Sequence, residues 1–75
     1  MNDTVLYILE KSRAKQYIKV ITDPKGDDWF IYFQWIEKKT DKIRSEYIVI
    51  RKDVPDWISH LTGSLGWKIK EKIKT

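Results

Sequence analysis

Cysteine is absent from the 75-residue chain, which also has only two prolines, three glycines and one histidine. The lack of cysteine excludes disulfide bonds, thiolate catalysis and cysteine-ligated zinc. No apolar run approaches the roughly 20 residues that a membrane-spanning helix needs. The start Met1-Asn2-Asp3-Thr4 lacks the basic segment of a signal peptide, so we predict a cytoplasmic protein with no membrane partner.

Aromatic and basic residues are plentiful by contrast. Four tryptophans and four tyrosines exceed what so small a core easily hides, and 15 Lys/Arg against 11 Asp/Glu give a net charge of +4. The positive charge lies in residues 38–75, where ten basic and five acidic side chains leave +5, whereas five and six in residues 1–37 leave −1. This excess is compatible with a polyanionic partner and does not require one.

Alternating apolar and polar residues predict four β-strands, because successive side chains of a strand point to opposite faces. The strands are expected over residues 4–11, 16–22, 29–37 and 43–51, separated by polar turns such as Asp23-Pro24-Lys25-Gly26. Their short connections indicate an antiparallel meander. We therefore predict an α+β fold in which residues 1–75 form a single domain, with a four-stranded antiparallel sheet over 4–51.

One C-terminal helix is predicted over about residues 54–65, packed on one face of the sheet. Asp53 is expected to cap it, and its buried stripe consists of Val54, Trp57, Ile58, Leu61 and Leu65. Residues 66–75 are predicted to form a basic tail. The alternation in the tail favours a strand over a continued helix, with one face made of Lys68, Lys70, Lys72 and Lys74.

The four predicted strands carry one tyrosine each. If the more apolar side of every strand faces the helix, Ile8 and Ile48 point toward it and all four tyrosines share the opposite face. Aromatic rings stack on unpaired bases while lysine and arginine neutralise phosphates. The predicted binding residues are Tyr7, Lys11, Tyr17, Lys19, Phe30, Tyr32, Gln34, Tyr47, Arg51, Lys68, Lys70 and Lys72. This face predicts a protein that binds single-stranded nucleic acid, DNA or RNA, with weak sequence preference.

A protein partner is the alternative. Tyrosine is common in strands whatever their function, and aromatic residues are also enriched at protein interfaces. The same face could therefore belong to a small interaction module, such as an accessory subunit or an inhibitor.

Catalysis is not predicted, nor is any metal or cofactor. His60 is the only histidine, so it has neither a second histidine for a metal site nor a cysteine to activate. Ser59 and His60 are adjacent, which on a helix points their side chains apart. Of the acidic pairs, Asp53 and Asp56 are better explained as the cap and the first-turn acid of the helix.

Several segments carry a family resemblance. They are the strand Gln16-Tyr17-Ile18-Lys19-Val20, the turn Lys25-Gly26, the apolar strand from Phe30 to Trp35, and Tyr47-Ile48-Val49-Ile50 leading to a helix around Trp57 and Leu61. Residues 16–61 thereby resemble the positive cofactor four family of transcriptional coactivators. The resemblance implies a homodimer built largely through its helices and an accessory role in transcription or replication. It also implies a concave sheet face that binds single-stranded DNA through Tyr17, Lys19 and Arg51. The strand over 4–11, the lysine tail and the pair Asp27-Asp28 depart from that pattern.

Overall fold

Five antiparallel strands form one sheet in the computed structural model, which describes residues 4–72. Along the chain they are β1 Val5–Glu10, β2 Gln16–Thr22, β3 Phe30–Glu37, β4 Ile43–Ile50 and β5 Lys68–Lys72. The order across the sheet is β4-β3-β2-β1-β5, which makes β4 and β5 the edges. The predicted α+β class is confirmed, and the sheet has one strand more than the four predicted. The added strand is the predicted tail, of which Lys74 lies outside the described residues.

Local turn chemistry connects β2 to β3 as the sequence predicts. The Asp23 carboxylate accepts the backbone N–H of Lys25 at 2.8 Å, and the N–H of Gly26 donates to the Asp23 carbonyl at 2.9 Å. Gly26 adopts a φ of 86°, a left-handed conformation that costs glycine little. The turn reverses the chain, so β2 and β3 pair in continuous register from Gln16↔Glu37 to Thr22↔Ile31.

The helix α1, Val54–Gly63, follows a short 3-10 turn, Arg51–Asp53. Asp53 is the N-cap residue, as predicted, but its side chain makes no capping hydrogen bond, because the 3-10 turn already leads the backbone into the helix. Gly63 ends the helix two residues earlier than predicted, which leaves Leu65 outside the buried stripe. The chain then returns through Gly66, at a φ of 81°, into β5.

The core lies between α1 and one face of the sheet, here called the helix face. Val54, Ile58 and Leu61 are buried at helical spacing, and Trp67 closes the end of the core. The sheet contributes Leu9, Ile18, Val20, Ile31, Phe33 and Val49. Burial of each large side chain stabilises the fold by about 1.5–3 kcal/mol, so a thin core of this kind suffices for a small domain.

The opposite side of the sheet is the open face. For β2 and β3 the predicted assignment is confirmed, since Ile18 and Phe33 face the helix. For β1 and β4 it is wrong. Leu9 pairs with Ile18 and is fully buried, which turns Ile8 to the open face. Val49 pairs with the core residue Ile31, so Ile48 likewise lies on the open face.

Truncation of the helix stripe is expected to weaken the fold strongly. Leu61 is 2% exposed, so Leu61→Ala should lower the free energy of unfolding by about 2–5 kcal/mol through lost burial and a cavity. Leu65→Ala is the matched control, since Leu65 is 45% exposed and its truncation should change stability by about 0.5 kcal/mol or less. Urea denaturation measures both variants, and equal losses would contradict this placement of the core.

Candidate nucleic-acid interface

Five of the twelve predicted binding residues lie on the open face of β2 and β3. Register places them there, because residues paired across neighbouring strands project to the same side of a sheet. Lys19 pairs with Gln34, and Tyr32 lies two residues before Gln34 on β3. The five residues are Tyr17, Lys19, Phe30, Tyr32 and Gln34. They come from β2 and β3, two of the three interior strands, whose backbones are fixed by hydrogen bonding on both sides.

Lys19 occupies the middle of this face. Its cross-strand partners are Ile8 on β1 and Gln34 on β3. Gln34 donates from Nε2 to the carboxylate of Glu46 at 2.7 Å, and Glu71 lies at the same distance in strands on the other side, opposite Ile8. Within residues 4–72 Lys19 forms no ion pair, although its side chain is half-buried. A cation without an ion-pair partner in the centre of a face that α1 does not cover is able to bind an anion there.

Tyr17 lies at one end of the open face, beside a cleft of about 360 Å³. Two lysines line the cleft with it, Lys38 and Lys70, and so do Ile8 and two carboxylates, Glu10 and Glu71. The Lys70 ammonium is 3.3 Å from the Glu10 carboxylate. Positive charge is therefore present next to the Tyr17 ring, and part of it is held by an ion pair.

The phenol of Tyr17 is held in its neutral form. Burial raises its pKa above the ordinary value of about 10, and the negative charge of Asp41 raises it further. The Tyr17 hydroxyl also donates to the Asp41 carboxylate, across a long 3.4 Å, which favours the protonated phenol. The ring therefore presents an uncharged aromatic surface at neutral pH.

The other end of the open face is acidic. The pKa of Tyr32 is raised by burial and then by the charges of Asp23, Glu46 and Asp27. Phe30 lies two residues before Tyr32 on the same face of β3 and pairs with Ile50. This end offers ring surface in a negative environment, so it suits bases better than phosphates.

Two of the four tyrosines lie on the helix face, which contradicts the prediction of one shared tyrosine surface. Tyr47 packs against Trp57 of the helix at 6.2 Å between ring centroids. Tyr7 pairs with the core residue Val20 and packs against the core. The apolarity of their strands misled the prediction, because Ile8 and Ile48 are as apolar as the residues that the helix covers.

Three predicted cations also lie away from the open face. Lys11 sits 5.8 Å above the ring of Trp67, and Lys72 sits 6.0 Å above the ring of Tyr7. Arg51 follows β4 in the 3-10 turn, where its Nε donates to the Asp28 carbonyl at 2.7 Å. The continuous lysine face of the tail is also wrong, since a bulge between Ile8 and Leu9 in the pairing with β1 splits it. Lys68 pairs with Glu10, and Lys70 reaches the Tyr17 cleft.

A second aromatic cluster, which the sequence analysis missed, lies beside the helix. Trp35, Tyr47 and Trp57 contact one another in tilted pairs at 5.4 and 6.2 Å, and they line a cleft of about 390 Å³ with His60 and Leu65. The sequence contained a signal for this cluster. Trp35 is two residues after Phe33 on the same strand, so both side chains point to the helix face, where Trp35 and Trp57 line the same cleft. Aromatic surface is therefore divided between both sides of the sheet.

Comparisons with known proteins yield no relative: no protein-family model matches the chain, and no curated protein or solved structure matches it significantly. The resemblance to the positive cofactor four family stays a prediction. In the part of the chain from 4 to 72, no three His, Cys, Asp or Glu side chains are arranged to hold a metal ion. No helix within that range has the length and apolarity needed to cross a membrane.

Removal of the Asp41 charge should lower the pKa of Tyr17. Asp41→Asn abolishes the Coulombic contribution and keeps the desolvation of the ring, so the pKa should fall toward, and stay above, its ordinary value. Tyrosine ring resonances followed by NMR through alkaline pH measure the change. In the wild type, stabilisation from the raised pKa is present below pH about 10 and is lost as pH rises through the folded-state pKa.

Glu46→Gln provides the matched control, because Glu46 raises the pKa of Tyr32 and does not contribute to that of Tyr17. Tyr32 should respond to this variant and Tyr17 should not. A Tyr17 pKa that is indifferent to Asp41→Asn would refute the assigned contact.

Proposed function

We propose that this protein binds single-stranded nucleic acid on the open face of its sheet. The observation that carries the proposal is Lys19, a half-buried cation that forms no ion pair among residues 4–72 and is set among Tyr17, Tyr32 and Gln34. Phosphate supplies the missing negative charge, and the flanking rings accept bases by stacking. The proposal rests on fewer residues than the sequence suggested, since Tyr7, Tyr47, Lys11, Arg51 and Lys72 have no part in this face.

Unpaired strands fit the face better than a duplex. Phe30 and Tyr32 are two residues apart on β3, so their rings emerge about 7 Å from each other along the strand. That spacing suits bases that are splayed apart, as single strands allow. Reading of duplex DNA needs an element that enters the major groove, whereas α1 lies packed on the helix face.

Charge gives the bound strand a preferred path. Lys38 and Lys70 lie by Tyr17, and Lys19 lies between Tyr17 and the acidic end at Tyr32. We infer that phosphates follow the lysines while bases stack toward Tyr32 and Phe30. Binding by this arrangement weakens as salt is added, because each neutralised phosphate releases counterions.

Loss of a ring on the open face should weaken binding of a single-stranded DNA oligonucleotide. Tyr32→Leu should cost about 1–3 kcal/mol, which is roughly five- to hundredfold in Kd. Tyr7→Leu is the matched control on the helix face and should leave Kd unchanged. The slope of log K against log salt is negative, and Lys19→Ala should make it less steep by about 0.7, because one phosphate contact is lost.

Fluorescence titration at several ionic strengths measures all three variants, with duplex DNA and RNA as competitors. Equal Kd values for the two leucine variants would refute the open face as the site. No change in wild-type fluorescence at low salt would refute the function itself.

Neutralisation of Glu10 should strengthen binding. Glu10→Gln removes a carboxylate and releases Lys70 from its ion pair, so more positive charge faces the phosphates. An exposed ion pair is worth about 0.2–1 kcal/mol, so the gain in affinity should reach up to about fivefold at low salt. Glu37→Gln is the control, because Glu37 pairs with Arg44 and does not line the Tyr17 cleft. Unchanged or weaker binding by Glu10→Gln would contradict the phosphate path.

A protein-binding role is the second candidate, and a different observation favours it. Ile48 and Ile50 are exposed on the open face beside Tyr32 and Phe30. Aliphatic side chains contribute little to nucleic-acid binding, whereas exposed apolar surface is typical of protein interfaces.

A further inference from the structure

Within residues 4–72 no strand pairs with the outer side of the edge strand β4, which leaves a row of its backbone groups free. The N–H of Arg51 donates to the Trp29 carbonyl of the neighbouring chain segment at 2.7 Å, which makes these two residues a hydrogen-bonded pair. In an antiparallel ladder such pairs alternate with non-bonded ones. Val49 and Tyr47 therefore bond toward β3. The backbone N–H and C=O groups of Ile50, Ile48 and Glu46 point outward, away from the sheet.

The two edges of the sheet are built differently. On β5, Lys68, Lys70 and Lys72 place charge along the edge, a common device against unwanted strand pairing. The charged residues of β4 are already engaged within the chain. Arg44 lies 3.8 Å from the Glu37 carboxylate, and Glu46 accepts a hydrogen bond from Gln34. Lysine and proline are both missing from β4, so this edge has no comparable protection.

Apolar side chains are exposed on both faces of β4. Ile48 and Ile50 are 58% and 41% exposed on the open face, and Tyr47 is 53% exposed on the helix face. An added strand would cover both sides at once while pairing with the free backbone groups. A ligand bound to a single face would cover only half of this surface.

We propose that two copies of the chain pair through β4, antiparallel about a two-fold axis at Ile48. In this register Ile48 lies opposite its own copy, and Glu46 lies opposite Ile50 of the second copy. On the helix face Tyr47 lies opposite Val49 of the second copy. A two-fold axis at Glu46 would set two carboxylates against each other, which disfavours that register. In this register apolar side chains meet at the axis and on the helix face, and the free backbone groups of the two copies pair with each other, so a second copy is the partner that this edge fits.

The dimer is a continuous ten-stranded sheet in which both open faces lie on one side. Its two Lys19 side chains then belong to one surface, which a longer nucleic-acid strand could follow. The pairing itself depends only on the β4 edge, so it stands whether or not the open face binds nucleic acid.

Sedimentation equilibrium of the full chain tests the pairing. The wild type should have twice the chain mass of 9.1 kDa, and Ile48→Lys should have that mass itself. Ile69→Lys is the matched control, an exposed isoleucine on the other edge, and it should remain a dimer. Circular dichroism checks that each variant is folded. A monomeric wild type, a dimeric Ile48→Lys variant or a monomeric Ile69→Lys variant would each overturn the proposal.

A cysteine at the proposed axis tests the register without disturbing the fold. The chain has no cysteine, so Ile48→Cys introduces a single thiol whose nearest partner is the same thiol of the second copy. Hydrogen-bonded pairs on adjacent antiparallel strands have Cα atoms about 5.5 Å apart, and their Cβ atoms are farther apart than a disulfide prefers, so a short bismaleimide is used to join the two thiols. The bismaleimide should link Ile48→Cys into covalent dimers and leave Ile69→Cys unlinked. Equal linking of the two variants, or none in Ile48→Cys, would refute the two-fold axis at Ile48.

Discussion

Packing of α1 across one face of the sheet is the constraint on which the rest of the molecule depends. Phe33 at the centre of β3 contacts Trp57 at 5.8 Å between ring centroids, and Leu61 is buried beside the central strands. The helix connects β4 at one edge with β5 at the other, so its course commits one face to the core. The helix thereby leaves the opposite face uncovered, and the residues on that face are those that alternate with the core.

Alternation within β2 and β3 was enough to predict much of this arrangement. Ile18, Val20, Ile31 and Phe33 are strongly apolar at every second position, and the residues between them include Lys19 and Gln34. The helix covers β2 and β3, so the more apolar side of each of these strands is also its buried side. The turn at Asp23-Pro24-Lys25-Gly26 was predictable for a similar reason, since its chemistry is local.

Strands β1 and β4 gave weaker information. On β4, Ile48 and Ile50 look more like core residues than Tyr47 and Val49 do, yet only Val49 is buried. The helix covers only part of this strand, and the isoleucines on its open side remain exposed. The candidate site inherited the error through Tyr7 and Tyr47. The cations Lys11 and Lys72 could not be placed either, because their positions above Trp67 and Tyr7 depend on how β5 returns to β1.

The pairing of β1 with β5 joins the most distant parts of the described chain, as Lys70 and Glu10 are 60 residues apart in sequence. Strands β1 to β4 pair with their neighbours in sequence, whereas the outer side of β1 pairs only with β5. During synthesis on the ribosome, this outer side of β1 is therefore an unpaired apolar edge until nearly the whole described chain has emerged. Once β5 pairs with β1, its lysines replace an apolar, aggregation-prone edge of the sheet with a charged one.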